Sequence, residues 1–96
     1  MNQKINEISI TPIRPINGLV GFASFVFDNS IYVGSVAIHT RPLGGYRLIY
    51  PNKKIGDKNI PFIYPISSQI GREIEEVIIK KFEEVMNYDR HGDIGY

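Results

Sequence analysis

Apolar and polar residues alternate along the first half of the chain, which is the pattern of β-strands. A first strand is predicted over residues 5–13, and Pro12 and Pro15 either limit it to an edge position or end it. Leu19–Phe27 (LVGFASFVF) follows the turn signal Asn17-Gly18 and is apolar at nearly every position. This composition predicts a second strand that is buried on both faces.

Asp28-Asn29-Ser30 predicts a hairpin turn, and Ile31–Thr40 is the returning strand. Strict alternation in this strand predicts two faces: Ile31, Val33, Ser35 and Ala37 on one, and Tyr32, Gly34, Val36 and Ile38 on the other. A short strand over residues 46–50 follows, with Tyr46, Leu48 and Tyr50 on one face and Arg47 and Ile49 on the other. Residues 51–59 are predicted as a polar loop, and residues 60–64 as a brief last strand.

One helix is predicted near the C-terminus. Its apolar residues recur at steps of three and four, namely Ile70, Ile74, Val77, Ile78, Phe82 and Val85. Ser67 or Ser68 caps its start, and it is predicted to end near Met86, so that residues 87–96 form a flexible tail. The fold class is therefore α+β, with residues 1–86 forming a small antiparallel sheet of 4–5 strands followed by one amphipathic helix packed on it.

Composition narrows the class of protein. The chain has 96 residues, 43% of them hydrophobic and none of them cysteine, so we expect one folded domain without disulfides or thiolate metal sites. We find no apolar run of the ~18 residues of a membrane span and no signal-peptide pattern at the N-terminus. A soluble, cytoplasmic protein without a membrane partner is expected. Its small size favours burial against a second copy.

Charge is distributed unevenly along the chain. Eight of the eleven Lys and Arg residues precede Glu73, whereas seven of the ten Asp and Glu residues lie at or after it. Residues 41–62 (RPLGGYRLIYPNKKIGDKNIPF) hold five of the basic residues and a single acid, Asp57. Such asymmetry predicts either an electrostatic binding face or a basic surface that meets an acidic one in a dimer.

Candidate catalytic groups are few. His39 lies near the end of an apolar strand, where a partly buried structural histidine is expected, and His91 lies in the predicted tail. Ser67 and Ser68 are explained as caps, and Gly44-Gly45 lacks the residues of a phosphate-binding loop. We therefore expect no enzyme, no metal site, no cofactor and no small-molecule substrate; an enzyme would require a catalytic group that the sequence does not display.

The basic stretch favours contact with phosphates instead. We predict that the binding residues include the five basic side chains Arg41, Arg47, Lys53, Lys54 and Lys58. Tyr46, Tyr50 and Tyr64 could stack on bases, although packing beneath the helix is the better explanation for the first two. The alternative for the lysines is a solvated loop.

Three segments together resemble the SpoVG family of bacterial septation and sporulation regulators. They are GLVGFASFVFDNSIYVGSVAI, LIYPNKK and YPISSQIGREIEEVIIKKF, and the likeness extends over about residues 5–86. Family members read Pro-Ser-[KR]-[KR] where this chain has Pro51-Asn52-Lys53-Lys54, and His-Pro-Ile where it has Tyr64-Pro65-Ile66. The order and spacing of these short motifs carry the resemblance.

The resemblance implies a homodimer paired through strands that binds DNA or RNA. It implies that Lys53 and Lys54 contact nucleic acid and that residues 67–72 at the helix start tune the target, with Gln69 and Arg72 as the readers. Tyr64 in place of histidine, the IGDKNI loop and the lack of arginine at the basic pair are departures that bear on sequence readout more than on backbone binding. They indicate a divergent member.

Two hypotheses of different classes follow. In the first, the protein is a dimeric, non-enzymatic nucleic-acid-binding regulator of septation or sporulation. In the second, it is a protein-interaction module whose basic loop binds an acidic protein partner. The unpaired edge used for dimerisation is left open between the first strand and Ile31–Thr40.

Overall fold

The computed structural model describes residues 4–94, and it describes side chains as far as residue 87. A four-stranded antiparallel sheet in the order β1-β2-β3-β4 is accompanied by a separate two-stranded hairpin and followed by one helix. The elements are β1 Ile5–Ile16, β2 Leu19–Phe27, β3 Ile31–Thr40, β4 Tyr46–Ile49, β5 Asn52–Ile55, β6 Lys58–Pro61 and α1 Ser68–Ile94. The predicted α+β class is confirmed, with six strands instead of the expected 4–5.

Helix α1 packs on one face of the four-stranded sheet. The buried residues of its apolar stripe are Ile74, Ile78 and Phe82, and they meet Phe25 and Val36 of the central strands. The ring of Phe82 also contacts Tyr46 edge-on, with centroids 5.1 Å apart. Each fully buried side chain of this kind contributes roughly 1.5–3 kcal/mol, so the stripe fixes the helix to the sheet.

The opposite face of the sheet is not covered by any other described element, and we call it the open face. Gly21, Ala23 and Phe25 of β2 point toward α1 and are buried, whereas Phe22 on the open face is 37% exposed. The prediction that β2 is buried on both faces is therefore wrong. One helix covers one side of a sheet, and an apolar sequence cannot by itself show that a second layer is missing.

A β-bulge in β3 changes which side chains face the helix. Ala23 pairs with Val36 but Phe25 pairs with Val33, so β3 carries one extra residue, and Ser35 there has a left-handed φ of 57°. Val33 therefore lies on the buried face together with Val36 and Ile38. The prediction of strict alternation through this strand is wrong, because a bulge shifts the period by one residue.

The helix start agrees with the sequence, whereas its end does not. Ser67 Oγ accepts a hydrogen bond from the Ile70 backbone N–H at 3.2 Å, which confirms a serine cap. The prediction that the helix ends near Met86 is wrong, because α1 continues to Ile94. Residues 95–96 of the expected tail lie outside the described residues.

Candidate nucleic-acid interface

The predicted polar loop at residues 51–59 is instead a β-hairpin that projects from the domain. Strands β5 and β6 pair from Asn52 opposite Pro61 to Ile55 opposite Lys58. Gly56, with φ of 61°, is the first of the two turn residues, a position where a positive φ favours glycine. All eight strand residues are exposed, so the hairpin is not part of the hydrophobic core.

The hairpin ladder sorts its lysines between two faces. Lys53 pairs with Ile60 and Ile55 pairs with Lys58, and because paired residues share a face, both lysines lie on one side with two isoleucines. Lys54, opposite Asn59, points to the other side. The adjacent Lys53 and Lys54 therefore present charge to both sides of the arm, and all three lysines lie on the same projecting element.

Arg41 is already engaged within the chain. Its Nε donates to the Tyr46 carbonyl at 2.9 Å, and its guanidinium forms an ion pair with Glu75 of α1 at 3.4 Å. These contacts connect the β3–β4 loop to the helix. Among the described side chains this is the one salt bridge, so the three hairpin lysines have no acidic partner there.

Arg47 lies apart from the hairpin, on the open face. It pairs with His39 across β3 and β4 and is exposed. Tyr46, Leu48 and Tyr50 pack against the core on the helix side, which confirms the predicted faces of β4 and the structural explanation for Tyr46 and Tyr50. The structure thus divides the predicted basic residues between a projecting arm, a loop-to-helix contact and a sheet face.

The predicted target-reading residues lie at the start of α1. Gln69 donates from Nε2 to Glu73 Oε2 at 3.3 Å, so one amide hydrogen bond is made within the helix. The side chain of Arg72 is exposed and makes no hydrogen bond or ion pair with any described residue. The first turn contains no acidic residue, so the positive end of the helix dipole is not offset by a carboxylate.

An apolar groove lies between the first half of β3 and the segment that enters α1. Its volume is about 310 Å³, and its exposed rim includes Ile31, Tyr64 and Ile66. Tyr50 lines this groove, and burial, with a smaller contribution from the Glu75 carboxylate, raises the pKa of Tyr50 to about 12. Tyr64 is therefore a rim residue of the groove.

Two aromatic residues that the sequence analysis did not select lie on the open face. They are Phe22 of β2 and Tyr32 of β3, and Tyr32 is 70% exposed. Strand alternation puts Phe22 on the face opposite Ala23, but its exposure depends on which face the helix covers. A prediction of which sheet face the helix leaves uncovered would have identified both rings.

The histidines and carboxylates are the remaining candidate groups. His39 is partly buried in β3, as expected of a structural histidine, while the side chain of His91 lies outside the described side chains. No group of three or more His, Cys, Asp or Glu that could hold a metal ion occurs in the described part of the chain. Over the same residues, no helix combines the length and hydropathy needed to cross a membrane.

The geometry defines a class of small α+β protein: an antiparallel sheet with one covered face and a projecting basic hairpin. Comparison with known proteins gives a more particular likeness. The chain is 29% identical over 82 residues to "Putative septation protein SpoVG" of Finegoldia magna, an alignment that covers 84% of this chain and 75% of that protein. No family model matches the chain. The likeness supports a SpoVG-like relationship.

Proposed function

We propose that this protein is a non-enzymatic, nucleic-acid-binding regulator of the SpoVG type, with a role in gene regulation linked to septation or sporulation. The observation that carries the proposal is the projecting hairpin, in which Lys53, Lys54 and Lys58 are exposed and lack an acidic partner among the described side chains. Unpaired lysines on a projecting arm can neutralise phosphates and release counterions. The similarity to a septation protein supports the regulatory role.

The isolation of the hairpin also supports a partner. A two-stranded hairpin alone is marginally stable in water. Ile55 and Ile60 lie exposed on the same side as Lys53 and Lys58. In contact with nucleic acid, the lysine ammonium groups would bind the phosphates, while the isoleucines and the lysine methylene chains would pack against sugars and base edges.

The test is a fluorescence-anisotropy titration of labelled duplex DNA, single-stranded DNA and RNA at two salt concentrations. Lys53→Ala combined with Lys54→Ala should weaken binding and lower the salt slope by about 1.8 on B-DNA, since each phosphate contact contributes roughly 0.9. Lys80→Ala with Lys81→Ala removes the same charge from exposed helix positions and should change little. Unchanged binding by the hairpin variant would refute the site.

We further propose that the protein is a homodimer paired through the first half of β3. Strand β4 pairs with Ala37–Thr40 and ends at Ile49, so no described strand pairs with the outer edge of β3 before Val36. The apolar groove adjoins this edge, and Ile66 on its rim is 93% exposed. Edge pairing with a second copy would cover both features, which favours this edge over β1.

Dimerisation is tested by the molar mass in light scattering. Ile66→Glu should shift the dimer to monomer, because it introduces a charge at the rim of the groove. Leu43→Glu is the matched control, since Leu43 is fully exposed in the β3–β4 loop away from the groove. A dimer that persists in Ile66→Glu at micromolar concentration would contradict this interface.

A second candidate function is binding of the hairpin to an acidic protein. The observation in its favour is the interleaving of Ile55 and Ile60 with Lys53 and Lys58 on one hairpin face, a mixture that also suits a protein surface. A partner that is retained after nuclease treatment, together with no binding to bare DNA or RNA, would favour this function.

A further inference from the structure

The open face carries two exposed aromatic rings on neighbouring strands. Phe22 lies in the row of pairs Thr11, Phe22, Ala37 and Ile49 that crosses all four strands. Tyr32 pairs with Val26, four residues further along β2, so the two rows are roughly 13 Å apart. Both rings therefore lie on one surface, at a spacing that a few nucleotides of an extended oligonucleotide would span.

Gly34 allows the Tyr32 ring to lie against the sheet. A Cβ at position 34 would lie 2.8 Å from Cε2 and 3.0 Å from the hydroxyl oxygen of Tyr32, so any larger residue would displace the ring. The ring extends from its own row over Gly34, and it remains 70% exposed. A ring supported by the backbone in this way presents its outer side to solvent.

The paired rows of the open face carry positive charge and no negative charge. Within the paired rows of β1–β4 on this face there is no carboxylate, and Arg47 contributes a positive charge. Glu7, the acidic residue of β1, lies in the irregular stretch between Asn6 and Ser9 and outside the pairs. The described helix acids Glu73, Glu75, Glu76, Glu83 and Glu84 belong to the element that covers the other face.

We propose that the open face is a stacking platform for single-stranded nucleic acid, with bases stacked on Phe22 and Tyr32 and phosphate held by Arg47. The inference rests on the proposed nucleic-acid binding and narrows it to single strands. Aromatic rings on a sheet bind unpaired bases because every base has a π-face, whereas the faces of bases in a duplex are already stacked. The hairpin lysines bind the phosphate backbone of single strands and duplexes alike, so the preference for single strands comes from the platform.

The experiment measures affinities of the full chain for single-stranded DNA, RNA of the same sequence and duplex DNA by anisotropy. Phe22→Leu with Tyr32→Leu keeps apolar side chains and removes both rings, and we expect it to lower single-strand affinity at least about tenfold. Duplex affinity should change less than twofold. The ring-retaining variant Phe22→Tyr with Tyr32→Phe should bind single strands within twofold of the wild type. Thermal unfolding by circular dichroism confirms that each variant is folded.

The outcomes separate the platform from the proposed function. Loss of single-strand binding in the leucine variant and recovery in the ring-retaining variant support the platform, and the preferred ligand shows whether DNA or RNA is bound. Equal single-strand binding by the leucine variant, with loss in the lysine variant, overturns the platform alone. A leucine variant that dissociates from dimer to monomer also overturns it, since the face would then be a contact between copies. No binding of the wild type to any ligand overturns both.

Discussion

Two glycines of this chain should respond in opposite directions to the same substitution. A Cβ at Gly21 in β2 would lie 3.1 Å from the Thr11 carbonyl oxygen and 3.3 Å from Cε1 of Phe82. A Cβ at Gly71 in α1 would meet only the Pro65 side chain, at 3.4 Å and beyond. The first position is tighter than ordinary contact, while the second has room for a methyl group.

The expected changes in the free energy of unfolding follow from the atoms around each glycine. At Gly21 the β1 backbone is held by its pairing with β2, and Phe82 is 2% exposed, so neither neighbour can move freely. Overpacking costs about 1–3 kcal/mol, and the lower unfolded-state entropy of alanine returns about 0.4–1 kcal/mol. Gly21→Ala should therefore destabilise the fold by about 1–2 kcal/mol. Gly71→Ala should stabilise it by up to about 1 kcal/mol, because alanine is the better helix residue.

The free energies of unfolding are measured by urea denaturation followed by circular dichroism, at one protein concentration for all variants. An unchanged m-value would show that the variants differ in stability and not in the compactness of the unfolded or folded state. The double variant should show the sum of the two effects, because the sites share no close neighbour. A Gly21→Ala protein as stable as the wild type would refute the reasoning that Phe82 and β1 close over this strand.

Three further predictions concern single side chains. Ser67→Ala should lower the free energy of unfolding by about 1 kcal/mol in urea denaturation, because the Ile70 N–H loses its cap. The pKa of Tyr50 is raised from the ordinary tyrosine value of 10.0 to about 12 in the folded protein, so the folded state binds the phenol proton more tightly than the unfolded chain does. Stability should therefore fall as pH rises from 10 toward 12, and Tyr50→Phe should show less of this fall in parallel melts. Arg41→Ala should cost less than about 1 kcal/mol, since its pair with Glu75 is half-exposed, and a double-mutant cycle with Glu75→Gln measures their coupling.

The elements with strong local signals were predictable from the sequence. The bounds of β2 and β3 agree with the prediction, because Asn17-Gly18 and the turn at Asp28-Asn29 define their ends chemically. Asn17, Gly18, Asp28 and Asn29 all have positive φ, the conformation that these residue types tolerate best. The cap at Ser67 and the buried stripe of α1 were equally accessible, since both follow from side-chain chemistry and helical periodicity.

The β3 bulge and the β5–β6 hairpin were not predictable on the same basis. Ser35 adopts a left-handed φ although it is neither glycine nor asparagine, so its residue type gives no signal for the bulge. In the hairpin, the strands NKKI and KNIP are too polar to show alternation, and only Gly56-Asp57 indicates a two-residue turn. The structure brings Lys53, Lys54 and Lys58 together on one hairpin, but their separation onto two faces became visible only in the ladder.

The candidate site was harder to predict than the fold, because it depends on which face of the sheet stays open. In the sequence most basic residues precede Glu73 and most acidic residues lie at or after it. This order becomes a spatial separation because the apolar stripe of α1 packs on one face of the sheet. Periodicity states that β2 has two faces but does not state which one the helix covers. The packing of α1 on the sheet, as in the contact of Phe82 with Gly21, assigns the covered face and leaves Phe22 and Tyr32 exposed on the other side with Arg47. The separation of helix carboxylates from this face follows from the same packing, so a helix that covered the other face would have buried the rings and brought acids to Arg47.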